Sequence, residues 1–259
     1  MKRMGNYQGY LIDLDGTIYR GKIRIPAAKR FIDRLQQKKI PFLFVTNNST
    51  QLPREVVANL AVNFDIHVQP KNVYTSGLAT ADYLADFDST KKSVYVIGEL
   101  GLKQAMLDRG FQFEEHTPDY AVVGLDYDVT YHKFELATLA IKRGAKFIGT
   151  NADTNLPNER GLVPGAGSVI ALVERATQQK ATYIGKPETI IMEKALKKIG
   201  LKKDQVIMVG DNYQTDIKAG INFGIDTLLV YTGVSTKEQV AKQAIKPTYE
   251  VTSLDQWEL

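Results

Sequence analysis

Tyr10-Leu11-Ile12-Asp13-Leu14-Asp15-Gly16-Thr17 is an apolar strand pattern that ends in two carboxylates one residue apart. Strand alternation puts Asp13 and Asp15 on the same side if the strand continues, and Gly16 lets the chain turn away. Two close carboxylates repel each other, and a bound divalent cation relieves that repulsion. In an open parallel sheet, ligands bind at the C-terminal ends of the strands, which is where this acid pair falls. The plain alternative is an Asp-Gly turn that closes a strand.

Three more strand patterns end in polar groups. Phe42-Leu43-Phe44-Val45 delivers Thr46, Asn47, Asn48 and Ser49, neutral donors that suit phosphate oxygens or, equally, a helix cap before Pro53. Tyr183-Ile184-Gly185 is followed by Lys186 and Pro187, and Val206-Ile207-Met208-Val209-Gly210 by Asp211 and Asn212, with Asp216 beyond. Asp211 alone would read as the N-cap of the next helix. Four such groups at four strand ends converge on one sheet edge.

Around these pieces, short β-branched and aromatic runs alternate with segments of helical period. Strands are predicted at Tyr10–Leu14, Phe42–Thr46, Asn72–Thr75, Val94–Ile97, Tyr120–Gly124, Phe147–Thr150, Thr182–Ile184, Val206–Val209 and Thr227–Tyr231. Helices are predicted at Pro26–Lys38, Pro53–Val62, Gly77–Phe87, Leu100–Arg109, Tyr131–Arg143, Gly167–Gln178, Glu188–Ile199 and Tyr213–Phe223. Pro26 and Pro53 suit first-turn positions, and Gly144, Gly200 and Gly224 stand where helices stop. The alternation predicts an α/β fold: a three-layer, Rossmann-like core with a parallel sheet and an inserted α/β domain. The chemically loaded residues lie in two terminal blocks. The expected division is therefore a core from 1–79 and 181–259, with the insertion at 80–180.

The bulk numbers exclude several classes. The 259 residues carry 33 Lys and Arg against 29 Asp and Glu, with no basic run that would mark nucleic-acid binding. The absence of cysteine excludes disulfides, thiolate metal sites and a cysteine nucleophile. Lys2 and Arg3 precede no apolar run of the signal-peptide kind, and no stretch reaches the ~18 apolar residues of a membrane span. The expectation is a cytoplasmic protein with no membrane and no nucleic-acid partner. Homo-oligomerisation is left open. Gly165-Ala166-Gly167 imitates a dinucleotide fingerprint, but Ile170 occupies the third glycine position, which argues against a nucleotide cofactor. His67, His116 and His132 share no metal-ligand spacing. They read as surface or capping residues, with His132 alone kept as a substrate-contact candidate.

The order acid pair, hydroxyl, lysine, acid resembles the haloacid dehalogenase superfamily of phosphohydrolases. Within it, the strings DLDGTIYRG, TNNS, GKP and GDNYQTDIKAG are similar to the NagD-like, or 4-nitrophenylphosphatase, branch. The resemblance implies Mg2+-dependent hydrolysis of a small phosphate ester through a phosphoaspartate on Asp13. It implies Asp15 as general acid/base, Lys186 as charge stabiliser, and Thr46, Asn47 and Asn48 as phosphate and substrate contacts. Asp13, the Asp15 carbonyl and Asp211 would ligate Mg2+, with Asp216 and Asn212 behind them. Asn151 and Asp153 fall in a stretch that resembles the branch's substrate-facing loop. There Leu156 replaces the histidine of the vertebrate pyridoxal phosphate phosphatases, a departure that argues against that substrate. The rival readings are a sugar-phosphate mutase, a phospho-acceptor signalling module, which Asp15 argues against, and a non-catalytic phosphometabolite sensor.

Overall fold

A computed structural model of the chain describes residues 7–158 and 160–259; residues 1–6, which hold Lys2 and Arg3, and Glu159 lie outside the described residues. The backbone packs as two units. The first holds residues 7–46, 54–74 and 186–259, the second 47–53, 75–158 and 160–185.

In the first unit, β1 (Gly9–Ile12) is buried throughout and leads into the acid pair. The chain then forms a small hairpin, β2 (Tyr19–Arg20) and β3 (Ile23–Arg24), and enters α1 (Pro26–Gln37). Pro26 opens this helix, and Ala27, Ala28, Phe31, Ile32 and Leu35 recur at helical spacing as its buried face. β4 (Phe42–Thr46) and α2 (Pro53–Phe64) follow, then β5 (Val73–Thr75). After the second unit the chain returns through α7 (Thr189–Ile199), β13 (Val206–Gly210), α8 (Lys218–Phe223), β14 (Asp226–Val230), α9 (Lys237–Ala241) and β15 (Tyr249–Val251).

The first unit's sheet has the order β15-β14-β13-β1-β4-β5. β1 pairs in parallel with β4 on one side (Ile12 with Phe44) and with β13 on the other (Ile12 with Val209). The chain leaves β1 for β4 and returns to β13, so the strand order reverses at β1. Crevices form at the C-terminal ends of strands at such switch points. Tyr10, Ile12, Phe44, Ile207 and Val209 pack on α1 through Phe31 and Ile32 in one apolar cluster. The C-terminal segment closes it, with the Trp257 indole N–H donating to the Tyr10 hydroxyl at 3.1 Å.

The second unit holds α3 (Ser76–Phe87), β6 (Ser93–Ile97), α4 (Leu100–Asp108), β7 (Gln112–Phe113), β8 (Tyr120–Val123) and α5 (Tyr131–Lys142). It continues with β9 (Lys146–Gly149), the strands β10 (Asn155–Asn158) and β11 (Gly161–Pro164), α6 (Ala166–Thr177) and β12 (Thr182–Tyr183). Its sheet, β12-β9-β8-β6-β7, is parallel throughout. β10 and β11 form a separate antiparallel hairpin. Ile97, Val123 and Phe147 pack on α5 and α6 through Ala140, Ile141, Ile170 and Val173.

One predicted helix differs in form. Tyr213–Phe223 begins as a π-helical turn over Tyr213–Ile217 and becomes α-helical only from Lys218. The reason is local: Asn212 caps the Gln214 N–H with its side chain, while its carbonyl accepts from the N–H groups of Asp216 and Ile217. This wider turn sets Asp216 beneath the end of β13. Such bulges commonly occur at functional sites.

Candidate active site

Four polar groups of the first unit gather at the C-terminal ends of β1 and β13. Asp13 follows β1 and is buried, its N–H bonded to the Val209 carbonyl. Asp211 follows β13 and is buried. Asp216 comes from the π-helical turn, and Lys186 stands just before Pro187 at the entry to α7. The Pro187 carbonyl accepts from the Asn222 amide of α8, which ties the lysine segment to the helix layer.

The Lys186 ammonium donates to Asp13 at 2.6 Å and to Asp216 at 2.7 Å, and it is 2% exposed. Burial acts to lower the ammonium pKa, but the charges and hydrogen bonds of Asp13 and Asp216 outweigh it and hold the lysine charged. Asp13 is pushed well above the ordinary carboxylate range, first by burial and then by Asp216; Lys186 opposes the shift. Burial and the charge of Asp216 likewise push Asp211 up to about 7, against hydrogen bonds from the Val234 N–H and Thr17 and the charge of Lys186.

Asp211 is held by its surroundings. It accepts from the Thr17 hydroxyl at 3.0 Å and from the Val234 N–H at 2.7 Å. A Cβ at Gly16 or Gly233 would overlap its carboxylate, and one at Gly210 would overlap Asp216. Three strand-end glycines thus make room for acids. Gly16 also has φ +92, a backbone shape that favours glycine.

Carboxylate oxygens of Asp13, Asp211 and Asp216 lie within 4.8 Å of one another. Three buried acids against one ammonium are a costly set without a cation, and an all-oxygen donor set suits a hard divalent ion. The donors present therefore fit Mg2+. Within the set, Asp216 is already engaged, accepting from Lys186 and from the Asn212 N–H at 3.1 Å.

Asp15 stands apart, with its side chain exposed and accepting from the Gly21 N–H at 3.0 Å. Thr46 ends β4, next to β1 in the same sheet, and is buried. Asn47, Asn48, Asn151 and Asp153 belong to the second unit. The Asn47 amide donates to both oxygens of Asp153 at 3.1 Å, and the Asn151 amide donates to the Asn47 carbonyl at 2.8 Å. Asn48 is exposed, its side-chain oxygen accepting from the N–H and hydroxyl of Thr50. His67, His116 and His132 are all exposed.

Thr17 ends the opening stretch with no role read for it, and Thr232 and Gly233 lie outside every motif in the sequence. Thr17 holds Asp211, and the Thr232 hydroxyl donates to the Gly16 carbonyl at 2.6 Å. The available signal was position: Thr232 and Gly233 follow the predicted strand Thr227–Tyr231.

Comparison with known proteins gives a consistent result. Residues 10–112 match the family model of haloacid dehalogenase-like hydrolases, and residues 183–257 match a related HAD-hydrolase-like model. A protein named 5'-nucleotidase YutF, from Bacillus subtilis, is 47% identical over 254 residues, 98% of each chain. An acid sugar phosphatase of Staphylococcus epidermidis is 50% identical over 254 residues, 97% of each chain. Among solved structures, a double mutant of a thermostable NPPase from Geobacillus stearothermophilus superposes with a TM-score of 0.92. It is 52% identical, and the match covers 98% of this chain and 99% of that one.

Proposed function

Since the chain belongs to the haloacid dehalogenase-like hydrolases, we propose that it is a phosphatase that hydrolyses nucleotide, sugar or aryl phosphate monoesters through a phosphorylated Asp13. The observation that carries this reading is the buried Asp13–Lys186–Asp216 chain beside Asp211 at the switch point of the parallel sheet.

Asp13 is the nucleophile: its carboxylate oxygen forms the bond to phosphorus as the bond to the leaving oxygen breaks. Lys186 holds one Asp13 oxygen, which leaves the other free to attack, and offsets charge that develops on the phosphoryl oxygens. Asp15 donates its proton to the leaving oxygen and then takes one from the water that attacks the acyl phosphate. That second displacement releases phosphate and restores Asp13. Thr46 and the Asn47 backbone N–H are assigned to phosphate oxygens, with Asn48 beside them. Asn151 and Asp153 are assigned to recognition of the remainder of the substrate.

Asp13, the Asp15 carbonyl and Asp211 would hold Mg2+, with Asp216 and Asn212 behind them. When bound, Mg2+ neutralises the acid cluster and the charge of the incoming phosphate. The test is phosphate release across a panel of phosphorylated metabolites with and without chelator, together with mass spectrometry of the acid-quenched protein for a phosphoryl group on Asp13. Turnover in excess chelator, or a phosphoryl group on another residue, would refute the scheme.

A further inference from the structure

Asp15 is the one exposed acid of the proposed machinery, and an exposed carboxylate samples several rotamers unless something holds it. What holds it is the Gly21 N–H, at 3.0 Å, in the turn between β2 and β3. That hairpin has only two residue pairs, Tyr19 with Arg24 and Arg20 with Ile23, and an isolated hairpin of this size is marginal in water. It needs an anchor.

The anchor is the C-terminal end of α2. The Tyr19 ring stacks flat on Phe64, the last residue of that helix, with centroids 4.5 Å apart and planes at 13°. Beside it, Arg24 Nε donates to the Asn63 carbonyl at 2.5 Å. Carbonyls in the last turn of a helix lack intrahelical partners and favour a cation, so the guanidinium is well placed. Phe64 is itself buried in the first unit's core, which makes the stack a fixed support.

On the other side, Tyr19 connects to the acid through the backbone. Its carbonyl accepts from the Gly16 N–H at 2.6 Å, and Tyr19 forms a bridge pair with Asp15. The intervening turn is tight, with the Leu14 carbonyl accepting from the N–H groups of Thr17, Ile18 and Tyr19. A displaced Tyr19 would shift both the backbone that carries Asp15 and the hairpin turn that orients its carboxylate.

We propose that Tyr19 is a positioning residue for Asp15: stacked on Phe64, it fixes the hairpin whose Gly21 N–H orients the acid. The proposal rests on the reading of Asp15 as the group that protonates the leaving oxygen. Misplacing such a group by about 1 Å costs on the order of 10²-fold. The cost falls on substrates that need the proton. An alkyl phosphate expels a strongly basic alkoxide, whereas 4-nitrophenyl phosphate expels a stable phenolate that leaves with little help.

The experiment compares kcat and KM for 4-nitrophenyl phosphate and for the alkyl phosphate that the wild type turns over best. Tyr19→Ala is expected to lower kcat on the alkyl phosphate by roughly 10–100-fold, and on 4-nitrophenyl phosphate by less than about 3-fold, with KM nearly unchanged. Tyr19→Phe keeps the stack and should restore both rates, and Phe64→Leu should follow Tyr19→Ala with a smaller loss. In an Asp15→Asn background, Tyr19→Ala should add less than about 2-fold, because the group it positions is gone. Circular dichroism confirms folding of each variant; if Tyr19→Ala does not fold, Tyr19→Leu replaces it with the same expectation.

An equal loss on both substrates, or an undiminished loss added to Asp15→Asn, overturns the proposal. The controls separate the two ideas. If Asp15→Asn is itself unselective between the substrates, the acid/base reading falls and this proposal falls with it. If Asp15→Asn is selective and Tyr19→Ala is not, the positioning role alone is wrong.

Discussion

Lys186 is shared between two carboxylates that have no other cation as close among the described residues, and this makes it the residue on which the site's stability turns. Removing one partner of a buried ion pair costs about 3–5 kcal/mol, because the remaining charge is left without compensation. Lys186→Met should therefore unfold at lower urea at pH 8, with a loss of about that size. The loss should shrink at pH 5, where the stranded carboxylates can take protons in place of the ammonium. Urea midpoints at the two pH values check this, and an equal loss at both would mean that charge is not the cause. Asp13→Asn tests the chemistry instead: it should abolish turnover, since an amide is a poor nucleophile, and leave the urea midpoint close to that of the wild type, since the amide fits the same space and Lys186 keeps its pair with Asp216. Asp15→Asn should lower kcat by roughly 10²–10⁴-fold. At this scale the sequence was informative wherever a residue's type and its place at a strand end point the same way, as for Asp13, Lys186 and Asp211. It was silent on the roles of Thr17 and Gly233. Their importance comes from proximity to Asp211 across at least 22 residues of chain, which local pattern does not encode.

The longer elements were legible because each carries its own signal. β4 reads as an unbroken apolar run, and α1 as a proline followed by apolar residues at helical spacing. Each predicted strand lies on an observed one, with ends that move by one or two residues. The elements that escaped are short and mostly exposed: β2 and β3, β7, the β10–β11 hairpin, β15 and α9. Two-residue strands such as β2 and β7 show no period, and they form because their neighbours supply the pairing. β10 and β11 hide for another reason. Pro157 and Pro164 argue against a strand, yet a two-stranded hairpin tolerates proline where no ladder N–H is needed. On the proposed reading, in which the Asn151–Leu156 stretch faces the substrate, the hairpin would bear on substrate choice. Only Leu156 and Val163 are half-buried among its described side chains, so the arm can change with little effect on stability. Leu156→His should leave the thermal midpoint within a few degrees of the wild type. It should change the ratio of kcat/KM for metabolites to kcat/KM for 4-nitrophenyl phosphate. A uniform loss across substrates would make the arm purely structural.

For the molecule as a whole, the acid cluster links metal, proton and stability. Burial first, and then the charge of Asp216, pushes Asp211 up to about 7, while in the unfolded chain an aspartate titrates at about 4. Between those values the folded protein holds a proton that the unfolded chain has lost. Metal-free stability must then fall as pH rises through that window, the reverse of the usual behaviour of a carboxylate in a salt bridge. Asp13, raised in the same direction, adds to the trend. A cation that binds only the folded, ionised cluster offsets the loss, by about 2.7 kcal/mol at one hundred times its dissociation constant. Binding must displace the protons, so Mg2+ affinity should weaken as pH drops below about 7. The measurement is the thermal midpoint from pH 5 to pH 8, with chelator and with saturating Mg2+. The gap between the two curves should be widest at pH 8 and should close toward pH 5. Asp211→Asn removes both the titration and a proposed charged ligand, so its chelator curve should lose much of its downward slope and its Mg2+ gap should shrink at every pH. No helix among the described residues is long and apolar enough to cross a membrane. A gap that is constant across pH, or one that survives in Asp211→Asn, would place the ion elsewhere on the molecule.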